Sequence, residues 1–178
     1  MSDLKEITTP LTDEVIRSLK KGDMVYVTGS VYTARDAAHK RLCEMLEAGE
    51  NMPFDFDGQI VFYAGPCPAP PGKPIGSVGP TSSTRMDAYS PMLVKRGLKS
   101  MIGKGLRNEA TRQAIIEHGG VYFTAVGGAA ALIAQCVKSV EMVAFEDLGT
   151  EAIRRLEVEK MPVIVALDCD GGNVYDRQ

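Results

Sequence analysis

The hydrophobic and polar positions along the chain follow two patterns, one typical of helices and the other typical of strands. Residues 34–48 place apolar side chains on one helical stripe and end at Gly49. Runs of β-branched and aromatic residues that end on glycine, such as 24–29, predict strands instead. Helices are predicted at 12–20, 34–48, 86–96, 108–118, 129–135 and 151–156, and strands at 4–9, 24–29, 59–64, 98–102, 121–126, 137–145 and 161–167.

The order of these elements predicts the fold class. From Ile75 onwards strands and helices alternate, which favours an α/β fold with a parallel sheet and right-handed crossovers. A proline-rich stretch at 65–74 is interpreted as an ordered surface loop, because the segment before it is too poor in elements to form an independent half. We therefore expect residues 1–178 to form one domain.

Composition narrows the classes of partner and compartment. The net charge is −3 and no run of Lys or Arg is present, so nothing indicates a nucleic acid or an anionic membrane as partner. The four cysteines are widely spaced and form no C-x-x-C pair, which predicts neither a zinc ribbon nor a self-contained iron–sulfur motif. Such thiols suit a reducing compartment, and neither a signal-like N-terminus nor a membrane-length apolar run is found, so we expect a cytoplasmic protein.

The segment 77–87, Ser-Val-Gly-Pro-Thr-Ser-Ser-Thr-Arg-Met-Asp, carries the strongest candidate chemistry. Gly79-Pro80 stops the preceding apolar run, and four hydroxyl residues then lead into Arg85. Hydroxyls, backbone N–H groups and a planar guanidinium on a tight turn can receive a small carboxylate or phosphate. The alternative is an ordinary helix start capped by Ser83 or Thr84.

Three cations follow predicted strands or apolar runs: Arg35, Arg85 and Lys104. Ligands of parallel sheets gather where strands end and helices begin, so this placement favours an anion site over three unrelated surface charges. Arg35 is predicted to lie in the first helical turn behind a capping box formed by Thr33 and Asp36, where a cation opposes the helix dipole. A surface ion pair is the alternative for Arg35.

The motifs resemble the β-type part of the iron–sulfur hydro-lyases, class I fumarase and L-tartrate dehydratase. The resemblance covers nearly the whole chain, and the segment 79–87 is its most specific part. The other matching segments are Lys21-Gly22-Asp23, Arg35-Asp36-Ala37-Ala38-His39, Ile102-Gly103-Lys104-Gly105, Val126-Gly127-Gly128-Ala129-Ala130, Leu148-Gly149-Thr150-Glu151-Ala152 and Pro162-Val163-Ile164-Val165.

The resemblance implies a swivelling β/β/α domain of three layers with a central, mainly parallel sheet. It also implies an active site shared with an α-type subunit, whose cysteines hold a [4Fe–4S] cluster that this chain does not hold. The expected assembly is a hetero-oligomer acting on a small dicarboxylate, with a homodimer as the form of the isolated chain. Without its partner, the chain is expected to be inactive.

The same resemblance assigns roles to individual residues. Arg35, Arg85 and Lys104 are expected to bind the substrate carboxylates, and Thr81 to contact the substrate at the reacting carbons. Thr81, Arg85 and Lys104 are therefore the expected catalytic residues, although a threonine hydroxyl is a poor base without a partner. His39 is expected at most to support these residues from behind, and a solvated imidazole is the alternative for it.

The function expected from the sequence is that of the β subunit of a hydro-lyase, with fumarate hydratase as the first choice. L(+)-tartrate dehydratase is the alternative within the same class. A non-catalytic dicarboxylate-binding or regulatory domain, or a plain scaffold, is the alternative from other classes.

Overall fold

The fold was analysed in a computed structural model, which describes residues 4–125 and 130–176. The helices are α1 (Asp13–Ser18), α2 (Asp36–Glu47), α3 (Ser90–Lys95), α4 (Glu109–His118) and α5 (Ala130–Cys136), with 3₁₀ turns at Ser83–Met86 and Glu146–Glu151. The strands are β1 (Lys5–Thr8), β2 (Met24–Thr33), β3 (Ile60–Phe62), β4 (Ser100–Gly103), β5 (Val121–Ala125), β6 (Val137–Ala144) and β7 (Ile153–Leu167). Among the described residues, no helix is both long and apolar enough to cross a membrane.

Seven strands form one sheet in the order β1-β2-β3-β4-β5-β7-β6. Neighbours from β1 to β5 are parallel, whereas β7 runs antiparallel to β5, β6 and β2. Because β7 pairs with both β5 and β2, the strands β2, β3, β4, β5 and β7 close into a ring. The predicted α/β class and the mainly parallel sheet are confirmed, but the prediction of parallel strands from Ile75 onwards is wrong for β6 and β7.

The sheet buries apolar side chains on both faces, as expected when parallel strands are covered on each side. Along β3, Ile60 and Phe62 belong to one core, while Val61 belongs to the other. The first core also receives Ile16 of α1, and the second lies under helices α2, α3 and α4. This arrangement is consistent with a three-layer α/β domain.

The predicted helix at 151–156 is wrong, because the 3₁₀ turn ends at Glu151 and β7 begins at Ile153. Its sequence, Glu-Ala-Ile-Arg-Arg-Leu, has good helix formers in a window too short for a reliable period. In the fold these residues pair with β2 on one side and β6 on the other. Strand pairing on both edges therefore overrides the local preference.

The capping box predicted at the start of α2 is also wrong. Thr33 still belongs to β2, and its Oγ1 accepts a hydrogen bond from the Arg154 backbone N–H at 3.2 Å. Arg35 occupies the N-cap position without a side-chain capping bond, and the helix begins at Asp36. Arg35 thus precedes the first turn of the helix.

The predicted helices 86–96 and 108–118 and the predicted strand 121–126 have different outcomes. The predicted helix 86–96 is shorter in the structure, where α3 covers only Ser90–Lys95 and Met86 belongs to the preceding 3₁₀ turn. The helix predicted at 108–118 is confirmed as α4, and the Oδ1 of its N-cap residue Asn108 accepts from the Thr111 N–H at 2.9 Å. The end of the predicted strand at Val126 and the following glycine pair lie outside the described residues.

Candidate functional site

Residues 81–83 lie across the carboxyl ends of β3 and β4. The Thr81 N–H donates to the Tyr63 carbonyl at 2.7 Å, just after β3. The Ser83 N–H donates to the Lys104 carbonyl at 2.8 Å, just after β4, and Ser82 forms a parallel bridge with Lys104. The backbone therefore places Thr81 and Lys104 on adjoining segments.

A chain of hydrogen bonds fixes the position of Lys104 from behind. The Lys104 N–H donates to Ser83 Oγ at 2.9 Å, and Ser83 Oγ lies 2.7 Å from the Tyr122 hydroxyl. That hydroxyl donates to the Gly105 carbonyl at 2.7 Å. Burial raises the pKa of Tyr122, so its hydroxyl stays protonated at neutral pH and remains a donor. The hydrogen-bond chain thus starts and ends on the loop that carries Lys104.

Gly103 makes this arrangement possible by leaving room for Ser83. A Cβ at position 103 would lie 2.0 Å from Ser83 Oγ and 2.7 Å from Tyr63 Cδ2. The glycine that precedes Lys104 is therefore required by close packing, although its φ angle is ordinary.

Arg85 projects from the 3₁₀ turn and joins it to the start of α2. Its Nε and Nη2 atoms both lie 3.0 Å from Asp36 Oδ2. The Arg85 side chain is 49% exposed and that of Asp36 33%, so the guanidinium remains open to a ligand on its outer side.

Arg35 is half-buried, and its side chain lies against Gly65. A Cβ at Gly65 would lie 3.0 Å from Arg35 Cδ and 3.0 Å from the Thr150 carbonyl oxygen. The absence of a side chain at Gly65 therefore lets Arg35 pass. Arg35 Nε is buried without a hydrogen-bond partner among the described residues, which leaves a donor for a bound anion.

His39 supports Arg35 from the buried side of α2. Its Nδ1 lies 2.8 Å from the Arg35 carbonyl oxygen, and since a carbonyl only accepts, Nδ1–H is the donor. The ring meets that of Tyr63 edge-on, with centroids 5.1 Å apart. Burial lowers the pKa of His39 to about 4, so the imidazole is neutral at pH 7. Because His39 is buried, the alternative of a solvated imidazole is wrong.

The predicted residues therefore lie on connected segments at one end of the sheet. Arg85 pairs with Asp36, which is the residue after Arg35, and Ser83, in the same turn as Arg85, accepts a hydrogen bond from the Lys104 N–H. Arg85 and Lys104 are exposed, and Thr81 and Arg35 are half-buried. Cavities of about 640, 510 and 420 Å³ elsewhere on the described part of the chain have none of these residues in their linings. The candidate residues therefore lie outside these three cavities.

Sequence reasoning missed Arg107, which is fully buried and paired with Asp87 at 2.8 Å. A signal was available, because Arg107 immediately precedes the Asn108 cap, where a cation opposes the dipole. Among the cations that precede or begin a predicted helix, the sequence prediction includes Arg35 and omits Arg107.

No group of three or more His, Cys, Asp or Glu side chains that could hold a metal ion lies together within residues 4–125 and 130–176. Cys43 is buried, Cys67 is exposed, and Cys136 and Cys169 are half-buried, all as free thiols. The cations of the candidate site are instead suited to binding carboxylates.

Comparison with known proteins shows which family the sequence matches. The sequence profile of the family described as "Fumarase C-terminus" matches residues 3–178. The putative L(+)-tartrate dehydratase subunit beta of Methanocaldococcus jannaschii is 39% identical over 176 residues, which cover 93% of this chain and 88% of that protein.

Two fumarate hydratases are similar over only part of their length. The class I, anaerobic fumarate hydratase of Escherichia coli is 40% identical over 154 residues, which cover 85% of this chain and 28% of that enzyme. The mitochondrial fumarate hydratase 1 of Leishmania major is 38% identical over 169 residues, which cover 92% of this chain and 31% of that enzyme. The chain thus spans about a third of the length of the fumarate hydratases that it matches.

Proposed function

Because this chain belongs to the fumarase C-terminus family, we propose that it is the β-type subunit of a hydro-lyase, most directly a fumarate hydratase. In this reaction water adds across the double bond of fumarate, which places a hydroxyl group on one carbon and a hydrogen on the next to form L-malate. The reverse reaction expels the same water molecule. The relatives named above are hydro-lyases by their names.

One observation carries the proposal: three cations and a threonine stand on backbone segments that are hydrogen-bonded to one another at the carboxyl end of the sheet. Arg85 is tied to α2, and Lys104 to the segment of Thr81. A dicarboxylate removed from water needs opposite charges close by, because a bare buried carboxylate is costly. Paired guanidinium donors also suit the planar carboxylate group.

The proposed roles follow from these placements. Arg85 and Arg35 bind the two ends of the dicarboxylate, and Lys104 adds a point charge from the neighbouring loop. Thr81 contacts the substrate at the reacting carbons and orients it, since a hydroxyl alone is a weak base. His39 holds the backbone of Arg35 as a neutral imidazole.

The proposal places a [4Fe–4S] cluster on an α-type partner subunit, together with the rest of the active site. When bound, such a cluster supplies a Lewis acid for the substrate hydroxyl and one carboxylate. This chain would contribute the carboxylate-binding cations. We further propose that the chain is inactive without that partner and that residues 1–178 act as one domain.

The test is turnover of L-malate by the complex of this chain with its α-type partner. Arg85→Gln and Lys104→Gln should each lower kcat/KM about 30-fold, which corresponds to about 2 kcal/mol for a hydrogen bond between charged groups. Lys95→Gln on α3, which removes an exposed charge away from the candidate residues, serves as the matched control. Unchanged kcat/KM in both site variants would overturn the proposed roles.

L(+)-Tartrate dehydration is the second candidate, favoured by the Methanocaldococcus relative, whose length this chain nearly matches. The same three cations, Arg35, Arg85 and Lys104, would bind tartrate, because it also carries two carboxylates. Parallel assays with L-malate and L-tartrate decide between the two substrates. Turnover of neither would remove both candidates.

A further inference from the structure

A buried ion pair lies directly behind the candidate site. Arg107 Nε lies 2.8 Å from Asp87 Oδ1, and the two side chains are 0% and 5% exposed. Asp87 also accepts hydrogen bonds from the Asn108 N–H at 2.8 Å and from the Thr111 hydroxyl at 3.1 Å. The carboxylate is therefore held by three donors that all belong to the β4–α4 connection or to α4.

The pair joins the two segments that carry candidate cations. Asp87 follows Arg85 by two residues, at the end of the 3₁₀ turn. Arg107 follows Lys104 by three residues, in the loop after β4. The hydrogen bond between Lys104 and Ser83 joins the same two segments nearer the surface. The turn and the loop are thus connected twice, once by the buried ion pair and once by the hydrogen bond nearer the surface.

Arg107 uses its planar fork in several directions at once. Nη2 donates to the Ser90 hydroxyl at 2.8 Å and to the Tyr63 hydroxyl at 3.1 Å. The guanidinium also lies over the ring of Tyr122, 4.7 Å from its centroid. A lysine could replace the charge but could not make these bonds together, since its three N–H donors share one nitrogen and lack the planar fork of the guanidinium.

Stability alone gives no reason for such a pair. Apolar side chains of similar volume often serve a core as well as a buried ion pair, because both ions must be removed from water. The pair instead contributes directional hydrogen bonds, and these fix the orientation of the 3₁₀ turn relative to the loop after β4. Some buried ion pairs and polar groups are retained for conformational specificity of this kind.

We propose that Arg107 is a positioning residue. Through Asp87, it fixes the position of the 3₁₀ turn that carries Arg85 relative to the loop that carries Lys104, and we call this relative position the register of turn and loop. The kinetic part of this inference rests on the proposed function, because it assumes that the two cations bind one dicarboxylate. The register itself is a property of this chain and can be measured without turnover.

The test uses the full chain with both charges removed, Arg107→Met together with Asp87→Asn. The asparagine retains an acceptor for the Asn108 N–H, so the midpoint of unfolding should stay near that of the wild type. Arg107→Met alone should unfold more readily, because it leaves the Asp87 carboxylate buried without its counter-ion. Arg107→Lys, which keeps the charge without the fork, provides a second variant if the double variant does not fold.

Hydrogen exchange at two amides reports the register. The N–H groups of Ser83 and Lys104 bond across the turn and the loop. Both should exchange at least 10-fold faster in the double variant than in the wild type, and likewise in Arg107→Lys. The matched control is Lys99→Met with Asp13→Asn, which removes an ion pair of 2.7 Å next to the other end of β4. It should leave the exchange of both amides unchanged.

In complex with the α-type partner, the double variant should raise KM for L-malate about 10-fold and change kcat less than threefold. The positioning role would be overturned if the Ser83 and Lys104 amides exchanged at the wild-type rate in a folded double variant. It would also be overturned if the Lys99 control accelerated their exchange by the same factor. A wild-type complex without hydro-lyase activity would overturn the proposed function instead. The exchange result for Arg107 would stand in that case.

Discussion

Asp36 and Arg85 meet through one carboxylate oxygen, with Oδ2 3.0 Å from both Nε and Nη2 of the guanidinium. Asp36 opens α2, and Arg85 lies in the 3₁₀ turn after β3, so the contact ties together two of the connections that carry candidate residues. The carboxylate orients the guanidinium and also offsets its charge. A dianion that binds Arg85 must therefore approach a neighbouring negative charge.

Replacement of Asp36 separates these two effects. Asp36→Asn keeps an oxygen acceptor for Arg85 and removes the negative charge, so KM for a dicarboxylate should fall about threefold, on the scale of a part-exposed ion pair. Asp36→Ala removes the orientation as well and should raise KM. Steady-state kinetics of the complex at low ionic strength measure both values, because salt screens the effect. A higher KM in both variants would show that orientation outweighs charge.

Gly103 should not tolerate a side chain. Gly103→Ala would bring a Cβ to 2.0 Å from Ser83 Oγ, and overpacking of this kind costs about 1–3 kcal/mol in the free energy of unfolding. Gly79→Ala is the matched control, because its Cβ would lie at an ordinary 3.5 Å from Ala130 Cβ. Urea denaturation of the two variants gives the comparison. Equal stability of both would contradict the packing around Ser83.

His39 should make the protein less stable in weak acid. Its pKa is about 4 in the folded chain and about 6.5 when exposed, so the unfolded state takes up the proton first as the pH falls. The contribution of His39 is thus complete above about pH 6.5 and is lost between about pH 6.5 and 4, with a total of about 3 kcal/mol. The measurement is the free energy of unfolding against pH.

His39→Asn offers the comparison for that measurement, because it retains an N–H donor but does not titrate. The pH dependence between about 6.5 and 4 should become shallower in this variant. An unchanged slope in His39→Asn would show that other groups dominate the acid response.

The Tyr122 hydroxyl should contribute to stability through the bonds it makes with Ser83 and the Gly105 carbonyl. Tyr122→Phe leaves the part-buried Gly105 carbonyl without this donor, which costs about 1 kcal/mol in the free energy of unfolding. Tyr32→Phe is the control, since Tyr32 is also buried and packs by stacking on Phe54 with ring centroids 4.0 Å apart. Thermal unfolding of both variants should therefore show a larger loss for Tyr122.

The elements with strong local signals could be predicted from the sequence. Asn108 and Gly119 bound α4 because a cap and a left-handed glycine are local features. The strand β7 could not be predicted in full, since its first half resembles a helix and is held extended only by β2 and β6. The predicted start of α2 failed for a related reason, because Thr33 bonds to the distant Arg154.

The sequence by itself determined the alternation of strands and helices, the motif around Arg85 and the three cations after strands, because residue type and spacing act over a few neighbours. Only the tertiary structure decided that Arg85 meets Asp36, that Ser83 occupies the space left by Gly103, and that Arg107 is buried against Asp87. These contacts join residues that are 20 to 49 positions apart in the chain. No local pattern specifies such pairs, because they form when the parallel strands bring their carboxyl ends to one edge.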